Sequence, residues 1–118
     1  MSRFVLFLLF AVSVGYGQEY YFYAAAESDD TVSLISFDGE TITEEERIPV
    51  GIMKTEIEGP HGLTVDPSGE YWYLSLAHGN PYGSVVKYST ATNRPIDKTT
   101  LGMFPASMQI SSLTGLLY

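Results

Sequence analysis

Residues 60–79 read PHGLTVDPSGEYWYLSLAHG, and this stretch decides the fold. Its centre, Asp66-Pro67-Ser68-Gly69, has the composition of a tight turn. A short apolar run, residues 62–65, precedes the turn, and the aromatic run YWYLSL, residues 71–76, follows it. Runs of this length and composition are typical of strands, so the stretch predicts two antiparallel strands joined by the turn.

Similar runs occur along most of the chain, separated by turn residues. No window between residues 18 and 118 places apolar residues at sustained helical spacing, and the sequence therefore predicts an all-β fold. The predicted strands are residues 20–26, 31–37, about 41–48, 62–65, 71–76, 84–88, about 96–101, and 107–110.

The chain also repeats itself at a regular interval. PHGLTV, which begins at Pro60, resembles PASMQI, which begins at Pro105, 45 residues later. YWY at residues 71–73 resembles YFY at residues 21–23, 50 residues earlier, and SVVKY at 84–88 resembles SLISF at 33–37. A four-strand unit repeated at this interval is typical of a β-propeller blade.

Residues 60–79, with GSVVKYSTATNRP at 83–95, resemble the YVTN family of β-propeller repeats. Tyr73-Leu74-Ser75-Leu76 takes the place of the tetrapeptide that gives the family its name. The resemblance implies a partial propeller with blade one at about 20–50, blade two at about 60–101 and the start of blade three at 105–118. Lactonase-like proteins, quinoprotein dehydrogenases and the propeller of nitrous-oxide reductase are related, so the resemblance implies a fold and leaves function open.

The length of 118 residues accommodates about two such blades, and blade one lacks its innermost strand. A closed propeller has at least four blades. We therefore expect the chain to be an N-terminal piece of a protein roughly three times longer, whose remaining blades close the ring.

The first 17 residues predict a helical signal peptide. Arg3 supplies a positive charge, and residues 4–14 (FVLFLLFAVSV) form an apolar run well short of the roughly 20 residues that span a membrane. Gly15 and Gly17 then occupy the small-residue positions of a cleavage site before Gln18. We expect an exported protein, periplasmic or extracellular, that is not integral to the membrane once the peptide is removed.

Composition excludes several classes of function. Fourteen acidic residues against six basic ones give a net charge of −8, which repels phosphate backbones and argues against a nucleic-acid partner. The absence of cysteine excludes disulfides and thiolate metal sites within this sequence.

The blade assignment gathers the chemically active side chains on one face, which we call the loop face: residues 27–30, 54–59, 77–82 and His61. Imidazoles there are candidate ligands for Cu or Zn, and carboxylates are candidate ligands for Ca²⁺. Each residue also has a simpler interpretation, as a turn residue, a packed loop imidazole or a solvated carboxylate. The candidate metal ligands are His61, His78, Glu27, Asp29, Asp30, Glu56 and Glu58, and the candidate ligand contacts are His61, His78, Asn80 and Tyr82.

Three functions fit this pattern. The first is a binding or scaffold protein that presents its loops to a small ligand, a metal or a protein partner. The second is a propeller enzyme, either a lactonase-like hydrolase or a metal- or quinone-dependent oxidoreductase, with His61 near the site. The third is a surface-layer or adhesion protein. No nucleophile elbow, phosphate-binding glycine loop or zinc-protease motif occurs, and the sequence leaves open whether the protein is catalytic.

The signal-peptide hypothesis predicts the N-terminus of the exported protein. Mass spectrometry of exported material should find a chain that begins at or near Gln18, because the small residues at 15 and 17 direct cleavage there. An intact Met1 on exported protein would reject the hypothesis.

Overall fold

The structure, a computed structural model, describes residues 17–52, 55–78 and 81–118, so the predicted signal helix lies outside the described residues. These residues form an all-β fold, as predicted, and the strands begin and end within two residues of the predicted bounds. No helix in the described ranges is long and apolar enough to span a membrane. The strands are β1 (Tyr20–Ala26), β2 (Thr31–Phe37), β3 (Ile42–Pro49), β4 (Pro60–Val65), β5 (Tyr71–Leu76), β6 (Ser84–Ser89) and β7 (Pro95–Thr100).

The strands form two antiparallel sheets in which each strand pairs with its neighbour in sequence. The first sheet has the order β1-β2-β3 and the second β4-β5-β6-β7. The turn at the centre of the opening stretch is formed as its composition predicts: the Asp66 carboxylate accepts the amide hydrogen of Ser68, and Gly69 adopts φ 74°. Glycine adopts a left-handed conformation of this kind at little cost.

One core fills the space between the two sheets. Trp72 lies at its centre, fully buried, between the rings of Tyr23 in the first sheet and Tyr88 in its own. The ring centroids are 4.8 Å from Trp72 to Tyr23 and 3.9 Å from Trp72 to Tyr88. Alternate residues of each strand supply the rest of the core, as the two-residue periodicity of strands requires. They are Val32 and Ile48 on one side, with Val50 directly after β3, and Leu74, Leu76 and Val86 on the other.

A single amide side chain links the two sheets beside this stack. Asn93, buried in the turn after β6, accepts hydrogen bonds on Oδ1 from the Tyr23 hydroxyl at 2.8 Å and from Trp72 Nε1 at 3.2 Å. Its Nδ2 donates to Glu46 of β3 at 2.6 Å. Burial raises the pKa of Tyr23, which keeps its hydroxyl protonated and able to donate. Asn93 therefore joins two strands of the first sheet to the second.

The segment after β7 repeats the geometry of the β4–β5 hairpin. Ile110 bridges Leu117, and Gln109 and Tyr118 exchange both backbone hydrogen bonds at 2.9 Å. In place of the predicted strand at 107–110, the structure has an isolated bridge between Ile110 and Leu117 with its flanking backbone hydrogen bonds. Each pairing corresponds to one found 45 residues earlier in the β4–β5 hairpin: Val65 with Trp72, and Thr64 with Tyr73.

The close approach of this segment to the second sheet requires a glycine in β4. A Cβ at Gly62 would lie 2.9 Å from the Ala106 carbonyl oxygen and 3.0 Å from the Met108 amide nitrogen. Leu63, the next residue, packs against the core, so Gly62 faces the opposite side of the sheet. The segment at 105–110 therefore lies against the face of the second sheet that points away from the first sheet.

Removal of the Asn93 amide should destabilise the packing of the two sheets. Asn93→Gly keeps the left-handed backbone (φ 51°) accessible but leaves the Trp72 N–H and the Tyr23 hydroxyl without their acceptor. We expect the free energy of unfolding to fall by about 2–4 kcal/mol, measured by urea denaturation with the fluorescence of Trp72, the only tryptophan. Thr92→Ala, an exposed neighbour, should change it by no more than about 0.5 kcal/mol. Equal stability of the two variants would contradict the assigned role of Asn93.

Candidate functional site

Four side chains from three successive repeats meet on the loop face. Glu27 comes from the 3₁₀ turn after β1, His61 from β4, His78 from the loop after β5, and Phe104 from the segment after β7. His78 Nε2 lies 2.7 Å from Glu27 Oε1, and His61 Nε2 lies 3.7 Å from the same oxygen. The Phe104 ring contacts both imidazoles edge-on, at centroid distances of 5.4 Å to His61 and 5.2 Å to His78. We call these four residues the Glu27 cluster.

Asp30 sets the separation between the loops that carry Glu27 and His61. It follows the 3₁₀ turn in a left-handed conformation (φ 48°), which aspartate tolerates better than most residues. Its carboxylate accepts the backbone N–H of Glu58 at 3.0 Å and of Gly59 at 2.9 Å. Its carbonyl oxygen accepts the N–H of Val50 at 2.9 Å. One aspartate therefore connects the β1–β2 turn to the loop that leads into β4.

Gly59 provides the space for the His78 ring. Its φ is 64°, and a Cβ there would lie 1.9 Å from His78 Cδ2, so a side chain at this position would displace the imidazole. The backbone of the next loop is fixed as well, because the His78 N–H donates to the Glu58 carbonyl at 2.9 Å. The imidazole that contacts Glu27 is thus positioned by a glycine and a backbone hydrogen bond.

The cluster is open to solvent and contains a negatively charged carboxylate. The hydrogen bond from His78, together with the charges of His61 and His78, lowers the pKa of the Glu27 carboxyl below its ordinary value. Glu27 is therefore ionised at neutral pH and accepts hydrogen bonds only, so Nε2 of His78 carries the proton. The side chains of Glu27, His61 and His78 are 49%, 35% and 40% exposed, which leaves room for a ligand to reach them.

The other predicted site residues fall into separate groups. Asp30 and Glu58 bind backbone, since the Glu58 carboxylate accepts the N–H of Ile52. Asp29 and Glu56 line a shallow depression beside the cluster. Tyr82 is exposed, and Asn80 lies outside the described residues. The seven predicted metal ligands are thus not brought to one point, and within the described ranges no group of three or more His, Asp or Glu side chains is arranged to hold a metal ion.

Phe104 is the member of the cluster that sequence analysis missed. It adopts φ 52°, a left-handed conformation that is unusual for a bulky side chain. The sequence repeat could have identified this position, because Phe104 precedes Pro105 as Gly59 precedes Pro60, 45 residues earlier. Both residues have a positive φ. The third repeat therefore places an aromatic residue where the second repeat has the glycine that its backbone favours.

Comparison with known proteins does not assign the chain to a family. No family model matches it, and no curated protein matches it significantly.

The pKa of Glu27 tests the geometry of the cluster. In His78→Ala it should rise toward the ordinary value for glutamate, because the hydrogen bond that lowers it is lost. In His61→Ala it should rise less, since His61 lies 3.7 Å away and acts through charge alone. NMR titration of the side-chain carboxyl resonance measures both shifts. An unchanged pKa in His78→Ala would contradict the contact.

Proposed function

We propose that the chain forms part of an exported YVTN-type β-propeller that binds a small ligand at the Glu27 cluster. The repeated strand registers and the two consecutive antiparallel sheets support the propeller, and the apolar leader supports export. The observation that carries the binding function is the convergence of Glu27, two histidines and Phe104 from three successive repeats. Loops from neighbouring repeats that meet on a rigid scaffold are a common form of binding site.

The backbone of Phe104 favours a binding role over a purely structural one. A left-handed conformation at a residue other than glycine costs about 1–3 kcal/mol and is concentrated at functional sites. Phe104 is 52% exposed, so burial of its own ring offsets only part of this cost. The conformation places the ring beside both imidazoles, which gives the cluster a flat aromatic wall.

The charges of the site favour a cationic ligand. Glu27 is ionised, the protein carries a net charge of −8, and an aromatic ring attracts cations to its face. An alkylammonium group that contacts both the carboxylate and the ring satisfies both. An organic anion of the same size meets repulsion from Glu27. We therefore assign the ligand to the class of small amines.

A second candidate function rests on the contact between Glu27 and His78. A carboxylate that holds an imidazole at 2.7 Å orients it as a general base. In this step His78 takes a proton from a water molecule as the water oxygen adds to the carbonyl carbon of a lactone. The imidazolium then returns the proton to the ring oxygen as the ring C–O bond breaks, which gives a hydroxy acid. In this hypothesis the protein is a propeller hydrolase of the lactonase-like class.

Ligand binding can be tested with matched probes. We expect tetramethylammonium to bind more tightly than pivalate, an anion of similar size, when both are measured by saturation-transfer NMR. Phe104→Gly should weaken the binding of tetramethylammonium roughly two- to fivefold and should raise the free energy of unfolding by about 1 kcal/mol, because it relieves the backbone. Phe104→Leu should weaken binding by a similar factor without the gain in stability.

Three outcomes separate the alternatives. Binding of neither probe, or binding that is unaffected by Glu27→Gln and Phe104→Gly, would overturn the amine site. Heat from Zn²⁺ or Cu²⁺ in a calorimetric titration, lost in the variant that combines His61→Ala with His78→Ala, would favour a metal ligand instead. Lactone hydrolysis abolished by His78→Ala would favour the enzyme.

A further inference from the structure

Both histidines of the sequence belong to the Glu27 cluster. His61 lies on β4 and His78 in the loop after β5, yet their Nε2 atoms lie near the same carboxylate oxygen, at 3.7 Å and 2.7 Å from Glu27 Oε1. Imidazole is the side chain whose charge ordinarily changes between about pH 5 and pH 8. Titration of histidine in this sequence therefore changes the charge beside one carboxylate.

Protonation of His78 changes the charge of its contact with Glu27 without removing the contact. Neutral His78 already donates from Nε2, so the second proton goes to Nδ1 and the hydrogen bond remains. The close approach of Gly59 and the backbone bond to the Glu58 carbonyl hold the imidazole in either state. Both imidazoles are partly exposed to solvent, so protonation carries no large cost of desolvation.

Glu27 keeps its negative charge over the same range of pH. The hydrogen bond from His78 lowers the pKa of the Glu27 carboxyl below its ordinary value, and even an ordinary glutamate is ionised above about pH 5. The three side chains therefore carry one net negative charge when both imidazoles are neutral. They carry one net positive charge when both imidazoles are protonated.

The charged groups around the two imidazoles do not titrate in this range. Apart from His61, the strands β1, β4 and β5 carry no acidic or basic side chain, and neither do residues 101–110, which include Phe104. Arg47 on β3 is paired with Glu44 at 2.9 Å, and Lys54 lies outside the described residues. The other charged groups of the loop face are carboxylates, which ordinarily titrate below about pH 5. They are Asp29, Asp30, Glu56 and Glu58.

We propose that protonation of His61 and His78 switches the Glu27 cluster from a state that binds amines to a state that releases them. The inference rests on the proposed amine site and adds its regulation. Neutral imidazoles leave the carboxylate free to attract an ammonium group, whereas two imidazolium groups repel it. Because the two equilibria are coupled, a bound amine opposes protonation as much as protonation opposes the amine. An exported protein takes the pH of its surroundings, so amine is bound at neutral pH and released in acid.

The size of the effect follows from the distances. An ammonium group in contact with Glu27 lies a few ångströms from both Nε2 atoms, because both are close to the same carboxylate oxygen. Two unit charges about 4 Å apart in bulk water change a binding constant roughly fivefold, and the change is larger where protein replaces water. Two imidazolium groups should therefore weaken amine binding by about tenfold or more.

Tetramethylammonium is a suitable probe because it has no titratable proton, so any pH dependence of its binding belongs to the protein. We expect its Kd for the full chain, measured by saturation-transfer NMR at low salt, to be at least tenfold higher at about pH 5.5 than at about pH 8. The Kd of methanesulfonate, which stays anionic at both values, should fall instead. Weakening of both probes in acid is the signature of lost structure and would overturn the charge mechanism.

The variant that combines His61→Gln with His78→Gln removes both titrating groups and keeps side chains that can donate to Glu27. We expect the ratio of its Kd values at the two pH values to fall below about twofold, whatever its affinity. His61→Gln alone should give an intermediate ratio. The fluorescence of Trp72 reports whether each variant is folded. If only His61→Gln folds, a ratio equal to that of the wild type would overturn the proposal.

The outcomes separate the switch from the site. Equal binding of tetramethylammonium by the wild type at both pH values would overturn the switch and leave the amine site standing. A double variant that keeps the wild-type ratio would do the same, because the titrating group would then lie elsewhere. Absence of binding at either pH would overturn the amine site and the switch together.

Discussion

The stack of Tyr23, Trp72 and Tyr88, closed by the Asn93 amide, is the constraint on which the other contacts depend. Two antiparallel sheets of three and four strands each have only one face in the common core, and this stack joins those faces at their centre. Asn93 adds specific hydrogen bonds to this apolar contact. Its Oδ1 accepts from Tyr23 of the first sheet and from Trp72 of the second, and its Nδ2 donates to Glu46 of the first. Glu27 belongs to one sheet and the histidines to the other, so the cluster they form is only as well defined as this packing.

Asp30 links the loops by hydrogen bonds in the way that Asn93 links the two sheets. It binds amide groups of the loop before β4 and thereby fixes Glu27 relative to His61 and His78. The Asp30 carboxylate accepts hydrogen bonds from backbone N–H groups. An acidic residue on the loop face can therefore have a structural role and need not be a metal ligand. Glu58 behaves in the same way toward Ile52. The loop face is acidic partly because its own backbone needs acceptors.

The sequence predicted the strands well because strand formation here follows from local composition. The alternation in β2, the aromatic run of β5 and the turn at Asp66–Gly69 are all short-range patterns, and the structure reproduces them. The contact between Asn93 and Glu46 escaped prediction, since Glu46 stands in the acidic run at residues 44–46 and its partner is 47 residues away. Contacts of this range are set by how the sheets pack, which no local pattern encodes.

The three left-handed residues that are not glycine show where the fold is under constraint. Asp30 and Asn93 tolerate this conformation, and their side chains bind backbone or neighbouring sheets in return. Phe104 has neither compensation: its side chain is bulky, half exposed and in contact only with imidazole edges among the ring contacts described. The second repeat uses Gly59 at the same position, so the backbone itself does not demand an aromatic residue. The free-energy cost of the left-handed backbone at Phe104 is therefore best explained by the position of its ring beside His61 and His78. This position is part of the proposed ligand site.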